Sequence, residues 1–375
     1  MDPLSDAVKK NGADAYVVYA SSRDPDMRYL THFTTSDPFV FFKKPGQNGV
    51  IVVSTMETGR AAREASVAFM TRTQAGLPDI LKKEKDPYKA TAAMIAGLVG
   101  KNVLIPPNFP VALANALGEH CTLSIDKGTV MEMRSRKSRP EILAMKKVQK
   151  VTQQAMGLAV SLIRNGSVKK GNLHIDGKPL TAERVKYTMH NLLLKHGCSA
   201  VDTIVSCGED TAIPHIAGTG ILRSDEPIVI DLFPVDERSG YYADMTRTVV
   251  KGEPSPEILA MYNALREAKQ LGISKIKAGV PGADVHQMVV DFFKDRGYES
   301  GTRGFVHNLG HGVGLQVHEL PTVGPAGNIL TTSNVITIEP GLYYPGVGGV
   351  RLEDIGTVTR HGFDNFTLFP EDLVV

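Results

Sequence analysis

The sequence predicts a two-domain chain, a small α/β domain over residues 1–135 and a larger α+β domain over residues 139–375. Three observations predict it. The chain has 375 residues, and roughly 150 residues per domain gives two to three domains. Before residue 135, short apolar runs alternate with amphipathic stretches, the pattern of strand and helix in turn. After residue 139, helical stretches and strand-like runs come in blocks, which suits α+β packing better than βαβ winding. Hydrophobic residues at 42% and charged residues at 22% are ordinary for a globular chain, so disordered and fibrous classes are excluded.

The elements follow in chain order. Ala15–Ala20 (AYVVYA) and Gly49–Val53 (GVIVV) read as strands, β-branched and bounded by turn formers. Thr55–Ser66 reads as a helix capped by Thr55, and Val67–Thr71 as a short strand. Pro87–Leu98 is helical, Asn102–Ile105 a strand, and Val111–Leu117 a helix after Pro110. Arg134–Pro140 (RSRKSRP) is basic, polar and ends in proline, so it reads as a solvated connector. A phosphate contact is the weaker reading, because no aromatic residues interleave with its charges. Beyond it, Glu141–Ile163 carries an apolar residue nearly every three to four positions, the mark of a long amphipathic helix. Thr181–Lys195, with Thr181 as cap, and Pro254–Ile276 and Asp284–Phe293 are further helices. Strand candidates are Val201–Cys207, Pro227–Phe233, Tyr241–Val250, Asn334–Ile338, Gly349–Val358 and Asn365–Leu368. No solenoid-length repeat is present.

Charge and cysteine usage narrow the function. Lys and Arg exceed Asp and Glu by only two, so no global field selects nucleic acid or an anionic membrane. No apolar stretch approaches the roughly 18 residues of a spanning helix, and MDPLSDAVKK lacks the apolar core of a secretory leader. Cys121, Cys198 and Cys207 show no CxxC spacing, which argues against a disulfide framework or zinc ribbon. A cytoplasmic, reducing setting is therefore expected, with neither membrane nor nucleic acid as partner.

Any chemistry must come from a local constellation, and the C-terminal half holds one. Asp231 ends the apolar run Ile228-Val229-Ile230, where an unpaired carboxylate would be costly. Asp244 follows a turn-rich stretch after it. A hairpin there would set the two carboxylates on adjacent strands, and a cation between them would relieve their repulsion. His307, His311 and His318 fall within twelve positions among Gly310, Gly312 and Gly314. That glycine run is no nucleotide loop, because no strand–GxGxxG–helix context surrounds it. Glu339 follows Val335–Ile338, and Glu353 lies in Val350-Arg351-Leu352-Glu353-Asp354. Four carboxylates and one imidazole suit a pair of divalent ions about 3.5–4 Å apart with a water nucleophile. The oxygen-rich set suits Mn²⁺, Fe²⁺, Co²⁺ or Zn²⁺ rather than a thiolate-selective metal.

The order Asp231, Asp244, His311, Glu339, Glu353, with GHGVG, VHELP, IEPGLYY and VRLED, resembles the pita-bread metallopeptidases. Within them it is most similar to prolidase (Xaa-Pro dipeptidase) and Xaa-Pro aminopeptidase. The resemblance covers about residues 139–375. The first 135 residues resemble the creatinase/prolidase N-terminal domain by length and pattern. The resemblance implies a pita-bread fold and metal-dependent hydrolysis of Xaa-Pro bonds. It implies two divalent ions per chain, Mn²⁺ or Co²⁺ first and Zn²⁺ or Fe²⁺ as alternatives. The ligands would be Asp231, Asp244, His311, Glu339 and Glu353, with Glu339 also relaying the proton to the leaving proline nitrogen. His318 would donate a hydrogen bond to the scissile carbonyl or tetrahedral intermediate, and His215 would be the other substrate-side histidine. His307 would line the proline pocket. Arg351 would lie near the product carboxylate or support the ligands. Thr246 would orient Asp244. Tyr343 reads as packing, and Cys207 as an inert side chain. The implied partner is a small peptide with proline second, and the implied assembly a homodimer.

One departure from the family pattern stands out. Phe233 takes a position usually held by glycine, and the two aspartates are thirteen rather than eleven apart. An even-numbered insertion keeps both on one face of a hairpin, since side chains alternate with period two. Among close alternatives, a methionine aminopeptidase usually lacks such an N-terminal domain. Creatinase, which cleaves a non-peptide C–N bond, does not keep the full ligand set. A non-catalytic binding module would have lost ligands. Between the two Xaa-Pro activities, the compact N-terminal domain favours the dipeptidase.

Overall fold

The computed structural model describes residues 2–375. The chain divides into two compact units, Met1–Arg134 and Ser135–Val375.

The first unit is built on a six-stranded sheet. Its strands are β1 (Ala15–Ala20), β2 (Phe39–Lys43), β3 (Val50–Val53), β4 (Ala68–Thr71), β5 (Asn102–Ile105) and β6 (Thr122–Ile125), in the order β4-β3-β2-β1-β5-β6. Residues of β1 alternate between two cores. Ala15 and Val17 pack with Val40, Phe42, Val103 and Ile105, whereas Tyr16 and Val18 pack with Phe39, Phe41, Ile51 and Val53. Period-two alternation thus buries both faces, which is why AYVVYA is apolar throughout. The sheet is mixed: β1 runs antiparallel to β2 and parallel to β5. The helix expected from Thr55 starts as a 3-10 turn, Thr55–Glu57, and continues as Thr58–Glu64. Its cap position is Ser54, not Thr55.

The second unit contains two helix pairs against antiparallel sheet. Arg139–Asn165 starts with Pro140 in its first turn, and Glu141 accepts the Ser138 N–H at 2.7 Å. It buries Met145, Val148, Ala155, Met156, Ala159 and Ile163, the three-to-four spacing of one face. Ala182–Lys195 lies beside it, capped by the Thr181 hydroxyl, which accepts from Arg184 N. Both pack on a three-stranded sheet ordered Ile204–Cys207, Ile228–Asp231, Thr246–Val249. Pro256–Lys275 and Gly282–Asp295 form the second helix pair. They share a core with a five-stranded sheet ordered Glu319–Val323, Gly310–Gly312, Val335–Ile338, Asp354–Val358, Phe363–Asn365.

Two expectations fail here, the second in part, for identifiable reasons. Gly349–Val358 is not one strand. It divides into Gly348–Arg351 and Asp354–Val358, because Leu352 N turns to Pro340 O and Glu353 N to Thr246 O. The solvated connector holds only in part: Arg136, Ser138, Arg139 and Pro140 are exposed, but two of its cations are not. Arg134 and Lys137 are 4% and 3% exposed. Arg134 pairs with Asp26 at 2.7 Å within the first unit, and Lys137 with Glu319 at 2.6 Å within the second. Basic composition alone does not reveal that these cations have buried acidic partners. The three cysteines are free and buried.

Candidate metal centre

Strand ends bring the acids together. Asp231 is the last residue of Ile228–Asp231, and its register partner on Thr246–Val249 is Thr246. Asp244, two residues before Thr246, is therefore diagonal to Asp231 rather than directly opposite it. The longer connection folds into its own structure. Val235–Asp236 pairs with Cys198–Ser199, and the Asp236 carboxylate accepts Ser239 N–H at 2.8 Å. Period two then sorts neighbours to opposite faces. Thr246 and Glu353 meet on one face, with the Thr246 hydroxyl donating to Glu353 Oε2 at 2.9 Å. Arg247 and Asp354 meet on the other at 2.9 Å.

Asp244, His311 and Glu353 each offer a donor atom within 4.8 Å of the others. His311 Nε2 lies 3.3 Å from Glu339 Oε1 and 3.7 Å from Asp244 Oδ2. Asp231 joins electrostatically: its charge helps raise the proton affinity of Asp244, Glu353 and Glu339. Asp231 Oδ2 accepts from Arg351 Nη2 at 2.7 Å, whereas Oδ1 is buried with no hydrogen-bond partner among the described residues.

The electrostatics are those of clustered, buried carboxylates. Burial first, then the neighbouring acids, pushes Asp244 and Glu353 well above the ordinary carboxylate range. Burial raises Glu339 to about 8 against the opposing pull of Arg351. Burial, assisted by His318, lowers His311 to about 3, so its imidazole is neutral and its lone pair available. A divalent cation supplies what this arrangement lacks. It would occupy the orphaned Asp231 oxygen, offset the carboxylate repulsion and accept the neutral imidazole nitrogen. The residues present therefore fit such an ion.

The other histidines surround this cluster. The His318 ring is exposed and 4.2 Å, centroid to centroid, from that of His311. His215 is also exposed, and burial lowers the proton affinity of His318. His307, lowered to about 4 chiefly by burial, shares Nδ1 with Asn308 O at 2.7 Å. Its Nε2 is 3.0 Å from the Tyr343 hydroxyl, which accepts from Arg351 Nη1 at 2.8 Å. A neutral His307 protonated on Nδ1 satisfies this chain, with Tyr343 donating to Nε2.

Two sequence readings change, those of Thr246 and Tyr343, and the contacts of Arg351 match the second of its two alternatives, support of the ligands. Thr246 does not orient Asp244; its hydroxyl binds Glu353 and accepts Arg351 Nε at 3.1 Å. Arg351 is buried and reaches Asp231, Tyr343, Thr246 and Pro214 O, so its visible contacts belong to the cluster rather than to a substrate carboxylate. Tyr343 is not mere packing, because its hydroxyl joins His307 to Arg351. No sequence pattern marked this role; the structure shows it also at Gly341, where a side chain would run into both the Tyr343 hydroxyl and His307 Nε2. Cys207 is inert as read, with burial holding its thiol up at about 11. Tyr343→Phe is expected to lower turnover by about tenfold or more with little change in fold, since it removes a group that orients others. Steady-state rates and circular dichroism check this; unchanged turnover would return Tyr343 to a packing role.

This is a metal-dependent hydrolase arrangement on a pita-bread fold. The model for metallopeptidase family M24 matches residues 144–360, and that for the creatinase/prolidase N-terminal domain matches residues 1–136. The chain belongs to metallopeptidase family M24, a family of peptidases whose cofactor is a divalent metal. An uncharacterized peptidase of Staphylococcus aureus is 35% identical over 243 residues, 64% of each chain, so the match spans just under two thirds of that relative. Among solved structures, an Xaa-Pro dipeptidase from Bacillus anthracis superposes with TM-score 0.84 at 24% identity, covering 100% of this chain and 98% of the other. An X-Pro aminopeptidase from Thermotoga maritima superposes with TM-score 0.79 at 23% identity, covering 99% and 100%. Among the described residues no helix is long and apolar enough to cross a membrane.

Proposed function

We propose that the chain is a metal-dependent Xaa-Pro dipeptidase. The observation that carries the hydrolytic reading is the convergence of Asp244, His311 and Glu353 within 4.8 Å, with Glu339 and the orphaned Asp231 oxygen beside them. Asp231, Asp244, His311, Glu339 and Glu353 would hold two divalent ions, Mn²⁺ or Co²⁺ before Zn²⁺ or Fe²⁺. Such ions supply a water nucleophile at neutral pH and polarise the scissile carbonyl.

The side chains do the rest. Glu339 accepts the proton released by the attacking water and delivers it to the proline nitrogen, which as a tertiary amide carries no hydrogen of its own. His318, exposed beside His311, donates a hydrogen bond to the carbonyl oxygen as charge develops. His215 acts on the same side of the substrate, and His307 walls the proline pocket. Arg351 positions Asp231. The same reading carries a homodimer in the cytoplasm.

The full-length likeness to an Xaa-Pro dipeptidase supports dipeptides as substrate. The compact N-terminal domain no longer separates the two activities, because the Thermotoga aminopeptidase matches over 100% of its own length. Aminopeptidase P activity on longer peptides is therefore the second reading. The test is turnover of Ala-Pro and Ala-Pro-Ala by purified protein supplied with Mn²⁺ or Co²⁺. Ala-Pro cleavage that chelation abolishes and added metal restores is expected. Cleavage of the tripeptide alone establishes the second reading, and cleavage of neither overturns both.

A further inference from the structure

We propose that Lys137 is a positioning residue for hydrolysis, acting through Glu319 on the segment that carries His318. The inference rests on the peptidase reading above. Lys137 Nζ lies 2.6 Å from Glu319 Oε1, with side chains only 1% and 5% exposed. The lysine backbone is itself anchored. Lys137 N donates to Ser333 O at 2.9 Å, and Asn334 Nδ2 donates to Ser135 O at 2.8 Å. Asn334 immediately precedes the strand Val335–Ile338, which leads into Glu339. The lysine backbone is thus tied to the residues that lead into the strand before Glu339.

Glu319 is placed to transmit this anchoring. It follows His318 directly and opens the strand Glu319–Val323, where it pairs in register with Gly312, one residue from His311. Its carboxylate fills the space a side chain on Gly314 would need. The bend between the two histidines folds around it: Gly314 N donates to Gln316 O at 3.0 Å, and Tyr242 N to Gly314 O at 2.8 Å. The 4.2 Å approach of the His311 and His318 rings depends on this bend.

The energetics favour a geometric role. A buried ion pair loses much of its Coulomb energy to desolvation, and an apolar pair of similar volume is often as stable. What the pair adds is direction, since it holds one carboxylate at one place against the glycine bend. His318 needs such support because it is exposed, with its ring set against that of His311.

The test compares Lys137→Met, Lys137→Arg and the double variant Lys137→Met/Glu319→Leu, with and without His318→Ala. Lys137→Met is expected to lower kcat by about tenfold to a hundredfold, as displaced catalytic groups do, with KM little changed. Lys137→Arg restores part of it. The double variant regains Tm relative to Lys137→Met, since it removes both charges of the pair, yet keeps the low kcat. In the His318→Ala background, Lys137→Met brings no further loss. In metal-free protein with labelled histidine, Lys137→Met shifts the His318 ring resonances and leaves those of His174 and His190 in place. Recovery of kcat in the double variant, an undiminished effect without His318, or an unmoved His318 resonance overturns the proposal. A wild-type chain without Xaa-Pro turnover overturns instead the reading beneath it, and the resonance experiment still decides the role of Lys137.

Discussion

Asp244→Ala and Glu353→Ala are each expected to abolish peptide hydrolysis, by about 10³-fold or more, which corresponds to about 4 kcal/mol of transition-state stabilisation. Both residues are almost wholly buried, at 3% and 2% exposure. Both also contribute to the 4.8 Å donor group with His311. The same substitutions should not destabilise the metal-free protein, and should raise its Tm. Burial and mutual repulsion push both carboxyls well above their ordinary range, so each destabilises the fold when no cation is bound. Removing one relieves the other, although the alanine leaves a small void that subtracts from the gain. Turnover, bound metal by elemental analysis and Tm by calorimetry check the three parts together. Near-normal turnover in either variant would overturn the site assignment. A large fall in metal-free Tm would show that the acids serve the fold rather than the ion.

Asp354→Ala should have the largest effect on stability. Asp354 lies directly after Glu353 but faces the other way, into a pocket of buried cations. Arg247 Nη2 donates to its Oδ1 at 2.9 Å, Lys269 Nζ to its Oδ2 at 2.7 Å, and Asn365 Nδ2 to the same oxygen at 2.8 Å. Lys269 also pairs with Glu371. Burial alone would raise the Asp354 carboxyl, but Arg247 and Lys269 outweigh it and hold it below its ordinary value. Arg247 and Lys269 are 1% and 0% exposed, so alanine leaves buried positive charge short of its counter-ion. Breaking a buried pair from one side costs about 3–5 kcal/mol. For a unit of this size that lowers Tm by on the order of 10 °C. Arg247 Nη1 also donates to the Glu353 carbonyl at 2.8 Å, so residual activity should fall as the strand beside the cluster loosens. A calorimetric Tm near wild type would contradict this account and imply that water replaces the carboxylate.

Much of the second unit was legible because its signals are local. The long helix from Arg139 shows its inward stripe within 27 residues, and its start is marked by Ser138, Pro140 and Glu141. Phe39–Lys43 (FVFFK) went unread despite a visible signal, an aromatic and β-branched run after Pro38. The short strands Gly310–Gly312 and Gly341–Tyr344 could not be read by alternation, since glycine carries no hydrophobic pattern. The division at Leu352–Glu353 was hidden for another reason. Both halves are strand-like, and only hydrogen bonds to Pro340 and Thr246 separate them.

The sequence by itself determined the chemistry on offer. Four acids and a glycine-framed histidine at strand ends carry their meaning in residue type and short spacing, because each needs only its own neighbours to be recognised. Tertiary structure alone decided how those groups are held. Arg351 meets Asp231 across 120 positions, Thr246 meets Glu353 across 107, and Lys137 meets Glu319 across 182. No local pattern encodes such pairings, since a buried cation and an exposed one are written with the same letter. Only packing removes the water from around Lys137 and Arg351, and an ion taken out of water must find its partner inside the fold.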